Sequence, residues 1–156
     1  MATLTELREA AGLTQDELSV RTGIARSNLS TYESGRRTPS ARTMARIEQA
    51  CRVSPSVALS RHRAQVVDIV HAHHGLSVEV FGSVIRGEDR WDSDLDLLVT
   101  MDDDAGHFDV VRMQNELQEL LNVSVDVVSK HAGFADSVVG ERILSEARPI
   151  EAAVDA

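Results

Sequence analysis

Cysteines and long apolar runs are what this 156-residue sequence most clearly lacks. Its single thiol, Cys51, excludes an internal disulfide framework, so a reducing cytoplasmic environment is expected. No apolar run approaches the roughly eighteen residues of a membrane-spanning helix, and no secretory signal pattern opens the chain, so we expect no membrane association. The order of a Ser-His-Asp hydrolase, a Walker loop and zinc-ligand spacings are also absent, which excludes those common chemistries.

Charge is distributed unevenly along the chain. The net charge of -9 argues at first against a nucleic-acid partner. Residues 1–63, however, carry a balance of +4, whereas residues 64–156 carry -13. This asymmetry predicts two functional units, of which the first has an anionic partner.

The basic half has the pattern of short amphipathic helices separated by turn residues. A capping box, Thr14 to Glu17, predicts the start of a second helix that stops near Gly23. The four predicted helices span residues 4–11, 15–22, 26–34 and 41–51. Because a tight glycine-containing turn joins the second and third, the pattern predicts a helix–turn–helix in an all-α domain over residues 1–60.

Two stretches of this half carry a specific resemblance. They read Leu7-Arg8-x3-Gly12-Leu13-Thr14-Gln15-x2-Leu18 and Leu29-x2-Tyr32-Glu33-x-Gly35-Arg36-Arg37-x-Pro39. Residues 4–53 thereby resemble the Cro/C1-type (XRE) helix–turn–helix family. The resemblance implies that the third helix enters the DNA major groove, where its early residues contact base edges.

The same resemblance implies DNA-contacting and structural residues. The expected base readers are Arg26, Ser27, Asn28 and Thr31. Gln15 is expected to clamp a phosphate, and Arg36, Arg37 and Arg42 to add charge against the backbone. Arg8 and Glu33 match a pair that ties the first helix to the third. A single domain of this size reads a half-site, so a working repressor is expected to dimerise. Some such domains bind proteins instead, and this alternative stays open.

The acidic half alternates between helix and strand patterns. After Pro55 a long connecting helix is predicted, ending near Gly75, with a domain boundary near residue 60. Strands are predicted over residues 77–81, 94–100 and 123–128, and helices over residues 108–121 and 138–147. The fold class is therefore α+β, with a second domain over residues 61–150.

Asp94 and Asp96 are the most informative residues of this half. They lie two apart on a predicted buried strand, so their carboxylates share one face, where charges have no stabilising role. Before them, Gly82 and Ser83 follow a strand and open a helix, which is a phosphate-holding geometry. Paired carboxylates facing a phosphate cradle imply a divalent cation between them, and the predicted chemistry is transfer of a nucleotidyl group.

This second half also resembles a family. Phe81-Gly82-Ser83-Val84-Ile85-Arg86-Gly87 and Asp94-Leu95-Asp96 match the Gly-Ser pair, ten-residue gap and Asp-x-Asp of the minimal nucleotidyltransferases in the polymerase-β superfamily. The resemblance implies a small mixed sheet. Ile85 departs from the alanine usual there, and a larger side chain could narrow the turn.

The predicted site residues follow from these motifs. Gly82 permits close approach of the triphosphate, and the Ser83 hydroxyl bonds a phosphate oxygen. Arg86 neutralises phosphate charge or else forms a salt bridge with a nearby aspartate. Asp94 and Asp96 hold Mg²⁺. A third carboxylate, Asp126, stands among valines on the next predicted strand, and we expect it to bind metal and to act as the catalytic base.

The expected biological function is implied by the family resemblance alone. Minimal nucleotidyltransferases are often antitoxins that attach AMP, from ATP, to a tyrosine of a HEPN-type ribonuclease toxin. Fused to a helix–turn–helix, the domain is expected to be a DNA-binding, autoregulating antitoxin that binds operator DNA and forms a homodimer or a hetero-oligomer with its toxin. Two alternatives stay open: a transcription regulator whose transferase fold only binds nucleotide or mediates assembly, and a transferase acting on a small molecule. The little sequence left for a substrate lobe argues against the second.

Overall fold

A computed structural model of the chain describes residues 2–153. The chain forms two compact units, Met1–Val53 and Ser54–Ala156. The predicted domain boundary near residue 60 stays a prediction. Within the described residues, none of the helices combines the length and the apolarity that crossing a membrane requires.

The first unit is all-α, as the sequence predicts. Its helices are α1 (Leu4–Ala10), α2 (Gln15–Thr22), α3 (Arg26–Glu33) and α4 (Ala41–Ala50). The predicted capping box at the start of α2 is confirmed, because the Thr14 hydroxyl accepts from the backbone N–H of Glu17 while the Glu17 carboxylate accepts from that of Thr14. One residue from each of three helices closes the core without solvent exposure, namely Leu18, Leu29 and Ile47.

The second unit combines helices with a small sheet. It opens with α5 (Pro55–Ala72), in which Pro55 occupies the first helical turn, where no backbone N–H is needed. The elements that follow are β1 (Gly75–Phe81), α6 (Ser83–Arg86), β2 (Leu95–Met101), α7 (His107–Leu121), β3 (Val125–Lys130), a 3-10 turn (Phe134–Asp136), α8 (Val138–Glu146), β4 (Arg148–Pro149) and α9 (Ile150–Ala153).

The sheet is mixed and has the strand order β3-β2-β1-β4. Strand β1 pairs antiparallel with both β2 and β4, whereas β2 and β3 are parallel. Parallel neighbours require a crossover connection, and α7 supplies it. Helices α5 and α7 pack against each other and against the sheet. A second apolar cluster of Leu98, Phe134 and Ala147 is extended by Phe81, Val128, Ile143 and Leu144.

The structure differs from the predicted elements at three places. The strand predicted over residues 123–128 begins at Val125, because Val123 is buried in the loop before it and so imitates the strand pattern. The long connecting helix is interrupted at His62, whose backbone leaves the helical region (φ -126°, ψ 17°). Sequence patterns also missed β4, because two residues are too few for a periodicity, although Pro149 and Arg148 pair with Glu79 and Val80 of β1.

Candidate functional site

The turn after β1 is built around a glycine. Gly82 has a backbone conformation (φ 78°, ψ -148°) that side-chain-bearing residues rarely adopt. A Cβ at this position would lie 2.2 Å from Oδ2 of Asp96. Glycine therefore lets the turn approach the Asp96 carboxylate directly, and Ser83 follows as the first residue of α6.

The two glycines of this turn frame a very short helix. Gly87 ends α6 in the left-handed conformation, and the N–H of Glu88 donates to the carbonyl of Ser83 at 2.9 Å. Ile85 lines a separate cavity of about 850 Å³ and not the cleft that contains Gly82. The departure from alanine at this position therefore does not narrow that cleft.

Strand pairing brings the predicted carboxylates to neighbouring positions. Asp96 is the second residue of β2 and registers with Phe81 of β1 on one side and with Asp126 of β3 on the other. The predicted strand began at Asp94, but β2 begins at Leu95, so Asp94 lies just before the strand and is exposed. Asp96 is half-buried. Asp126 is also exposed, on the edge strand β3, although Val123 and Val125 before it are buried.

Negative charge is concentrated at Asp96. Burial raises the pKa of this carboxyl, and the neighbouring carboxylates of Asp126 and Asp94 raise it further, while the Arg86 guanidinium opposes the shift. Within the part of the chain that the structure describes, no three side chains of metal-ligating types converge tightly enough to enclose a metal ion. The arrangement is therefore an open acidic edge and not a preformed cage.

A cleft of about 360 Å³ lies beside this acidic edge. Gly82 and Asp96 line it, and Arg86 stands at its wall. The Nη1 of Arg86 donates to Oε1 of Glu146 at 2.6 Å, and its Nε donates to Oε2 of Glu88 at 3.0 Å. Of the two roles expected for Arg86, the structure displays the salt bridge, but its partners are two glutamates and not the expected aspartate.

Sequence reasoning missed the wall that α8 contributes to this cleft. Five of its residues line the cavity: Val138, Val139, Arg142, Ile143 and Glu146. Their spacing of one, three and four residues marks a single helix face, which was the available signal. Val138 is 85% exposed and Val139 67% exposed, so this wall presents apolar side chains to solvent.

The predicted DNA-contacting residues lie mostly on the surface of the first unit. Arg26, Ser27 and Asn28 are exposed in the first turn of α3, whereas Leu29 is buried. Thr31 is half-buried, and its hydroxyl donates to the carbonyl of Ser27 at 2.8 Å. Arg36, Arg37 and Arg42 are also exposed. The Arg26 guanidinium approaches the carboxylate of Asp16 at 3.4 Å, and both side chains are well solvated.

A hydrogen-bonded network surrounds Glu33, the last residue of α3. Arg8 donates to this carboxylate through Nε at 2.7 Å and Nη2 at 3.1 Å, so the predicted tie between the first and third helices is present. Gln15 donates from its side-chain amide at 3.1 Å, and Thr5 from its hydroxyl at 3.2 Å. The amide of Gln15, which we expected at a phosphate, is thus also part of this network.

Comparison with protein families identifies both units. A helix–turn–helix family model matches residues 4–57, and a nucleotidyltransferase-domain model matches residues 60–150, more than half of the chain. The XRE-type helix–turn–helix domain and the nucleotidyltransferase domain expected from the sequence are both confirmed.

Individual relatives match the second unit. A candidate protein adenylyltransferase of Methanocaldococcus jannaschii is 32% identical over 85 residues, 54% of this chain and 89% of the relative. The protein adenylyltransferase MntA of Thermococcus cleftensis is 36% identical over 67 residues, 41% of this chain and 68% of the relative. A solved minimal nucleotidyltransferase structure superposes with a TM-score of 0.52 at 38% identity, covering 60% of this chain and 94% of its own.

Proposed function

Because the chain belongs to the nucleotidyltransferase family, we propose that its second unit transfers AMP from ATP to a hydroxyl group of a partner protein. The observation that carries this proposal is the contact between the Gly82 turn and the Asp96 carboxylate, with Asp126 on the adjoining strand. A phosphate-approaching turn and catalytic carboxylates are the two parts that nucleotidyl transfer needs. Relatives named as protein adenylyltransferases support AMP and a protein acceptor.

The donor set suits Mg²⁺. Carboxylate oxygens are hard ligands, and the pKa of Asp96 is raised by burial and by the carboxylates of Asp126 and Asp94, whose negative charge a divalent cation would offset. The open arrangement also suits Mg²⁺, which proteins commonly hold with one or two carboxylates together with substrate phosphates and water. We propose Asp94, Asp96 and Asp126 as its ligands. When bound, the ion supplies charge stabilisation at the phosphates.

Residues of the chain bind the phosphates and accept the proton of the acceptor hydroxyl. The backbone at Gly82 and the hydroxyl of Ser83 hold and orient the phosphates, and Arg86 offsets their charge. Asp126 accepts the proton of the acceptor hydroxyl as its oxygen bonds to the α-phosphorus. The bond from that phosphorus to the bridging oxygen breaks, and pyrophosphate leaves. A tyrosine hydroxyl has a pKa of about 10, so it needs such a base at neutral pH.

The acceptor we propose is a macromolecule. In the α8 wall of the cleft, Val138 and Val139 expose apolar surface of the kind that partner proteins cover. Sequence resemblance to antitoxin nucleotidyltransferases favours a co-expressed HEPN-type toxin as this acceptor. The helix–turn–helix domain favours operator DNA as the second partner, and autoregulation of the shared operon as the outcome.

The decisive experiment is intact-mass spectrometry of the product of the neighbouring gene after co-expression with the full chain. An increase by one AMP is expected with the wild-type chain and with the control Asp103→Asn, an exposed carboxylate beyond the far end of β2. Asp126→Ala is expected to bind ATP and to abolish the increase. If the neighbour stays unmodified and Asp94→Ala/Asp96→Ala still neutralises it, the transferase proposal fails and the domain acts by binding alone.

A further inference from the structure

The α8 wall of the cleft carries an arginine that sequence reasoning did not select. Arg142 lines the same cleft as Gly82 and Asp96. It lies four residues before Glu146, and side chains at that spacing are neighbours on one helix face. An ion pair between the two would therefore be the ordinary arrangement on an isolated helix.

In the structure, Glu146 pairs with Arg86 and not with Arg142. The Glu146 carboxylate binds Arg86, at 2.6 Å, and Arg86 is engaged by Glu88 as well. Over residues 2–153, the Arg142 guanidinium makes no ion pair and no hydrogen bond. The cleft wall therefore holds one arginine that is paired with two carboxylates and a second arginine that is unpaired among the described residues and exposed to solvent.

The cleft is acidic, so an unpaired arginine in its wall matters for binding a phosphate chain. Asp96 and Glu146 are both acidic, and Asp94 and Asp126 stand beside them, so a triphosphate entering the cleft meets strong repulsion. Glu88 and Glu146 already hold two of the five Arg86 N–H donors and offset its positive charge, so Arg86 attracts a phosphate less than an unpaired arginine does. Arg142 gives up nothing but water, and a guanidinium presents paired donors that match phosphate oxygens.

We infer that Arg142 is a phosphate-binding residue of the cleft, which holds the triphosphate from the α8 side while the Gly82 turn holds it from the sheet side. This inference rests on the proposed function, because it assigns a ligand to the same cleft. Its distinctive content is that a phosphate chain, and not the nucleoside, is what Arg142 recognises.

The test uses the full chain with Mg²⁺ and compares three probes by calorimetry: ATP, inorganic tripolyphosphate and adenosine. Arg142→Ala is expected to weaken binding of ATP and of tripolyphosphate by roughly tenfold or more, as for loss of a charge-assisted hydrogen bond, and to leave adenosine binding unchanged. Arg142→Lys is expected to retain part of the affinity, because it keeps the charge and loses the paired donors. The matched control is Arg112→Ala, an exposed arginine within α7 that does not line the cleft, for which no change is expected.

The outcomes separate this inference from the proposed function. Unchanged binding of ATP and tripolyphosphate by Arg142→Ala overturns the inference and leaves the transferase proposal standing. Selective loss of phosphate binding supports it, even if no AMP transfer to a partner is found. Equal weakening of adenosine binding would also overturn it, because the residue would then support the cleft in general. Failure of the wild-type chain to bind ATP would overturn both proposals, whereas binding of ATP without binding of tripolyphosphate would overturn the inference alone.

Discussion

Gly82 lies so close to Asp96 that a Cβ on the glycine would come within 2.2 Å of the Asp96 carboxylate oxygen Oδ2. The Asp96 carboxylate therefore occupies the space that a side chain at position 82 would need, and only glycine leaves that space free. Because the carboxylate is the end of a side chain with two rotatable bonds, a larger residue at position 82 would push it aside and displace the proposed metal ligand.

We expect Gly82→Ala to abolish Mg²⁺-dependent ATP binding and to destabilise the second unit. The matched control is Gly87→Ala, because Gly87 has a similar φ of 69° but no atom within 4 Å of its would-be Cβ. The control should lose only about 1–2 kcal/mol of unfolding free energy, the usual cost of a side chain in the left-handed region, and keep its ATP binding. Denaturant unfolding and calorimetry on both variants provide the measurement. Equal ATP affinities in the two variants would contradict the steric argument.

Asp96→Asn should raise the thermal stability of the metal-free protein, by a few degrees, while removing Mg²⁺-dependent ATP binding. The charged form of Asp96 is disfavoured by burial and by the carboxylates of Asp126 and Asp94, so neutralising it relieves both effects. Melting curves in a chelator, with and without added Mg²⁺, measure the change. Added Mg²⁺ should stabilise the wild-type chain and not the variant. A variant less stable than wild type in chelator would show that the carboxylate has a structural partner.

Glu33→Gln should destabilise the first unit by about 1–3 kcal/mol, because the charged hydrogen bonds from Arg8 are weakened. The Arg8 guanidinium holds the pKa of Glu33 below its ordinary value, with help from Gln15 and Thr5. A lowered folded-state pKa gives stability that is fully present above the unfolded-state pKa, about 4.3, and is lost as the pH falls toward the folded-state value.

The pH dependence supplies the check on this ion pair. As the pH falls below about 4.3, the wild-type chain should lose more stability than Glu33→Gln does, so the difference between their melting temperatures shrinks in acid. Glu9→Gln is the control, since Glu9 is 65% exposed and lies 3.6 Å from the same arginine. A constant difference between wild type and Glu33→Gln from pH 7 to pH 3 would exclude the charged pair as the cause.

Arg26→Ala should lower the affinity for the true operator by about 1–3 kcal/mol and relax base preference, because the exposed start of α3 is the expected base-reading segment. Arg36→Ala should weaken binding to all duplexes alike and reduce the salt slope by about one. Gel shifts with the chain's own promoter and with random duplex, across a salt series, distinguish the two effects. Binding to the promoter that is no tighter than to random duplex would refute operator recognition.

The sequence by itself determined the local elements and the two families. Capping residues, glycine stops and apolar periodicity predicted α1 to α4 and most of the second unit, because these signals act over a few neighbouring residues. The ten-residue gap between Ser83 and Asp94 was sufficient to predict nucleotidyl-transfer chemistry, and the uneven charge predicted two units.

Tertiary structure alone decided how the candidate site is assembled. Parallel pairing of β2 with β3 sets Asp126 beside Asp96, and packing of α8 gives Arg86 its partner Glu146 and leaves Arg142 free in the cleft. It also left the side chains of Asp94 and Asp126 exposed, although a buried strand was predicted for Asp94 and valines flank Asp126 in the sequence. The physical reason is distance along the chain: strand register and helix docking depend on contacts between remote segments, which a local pattern does not encode.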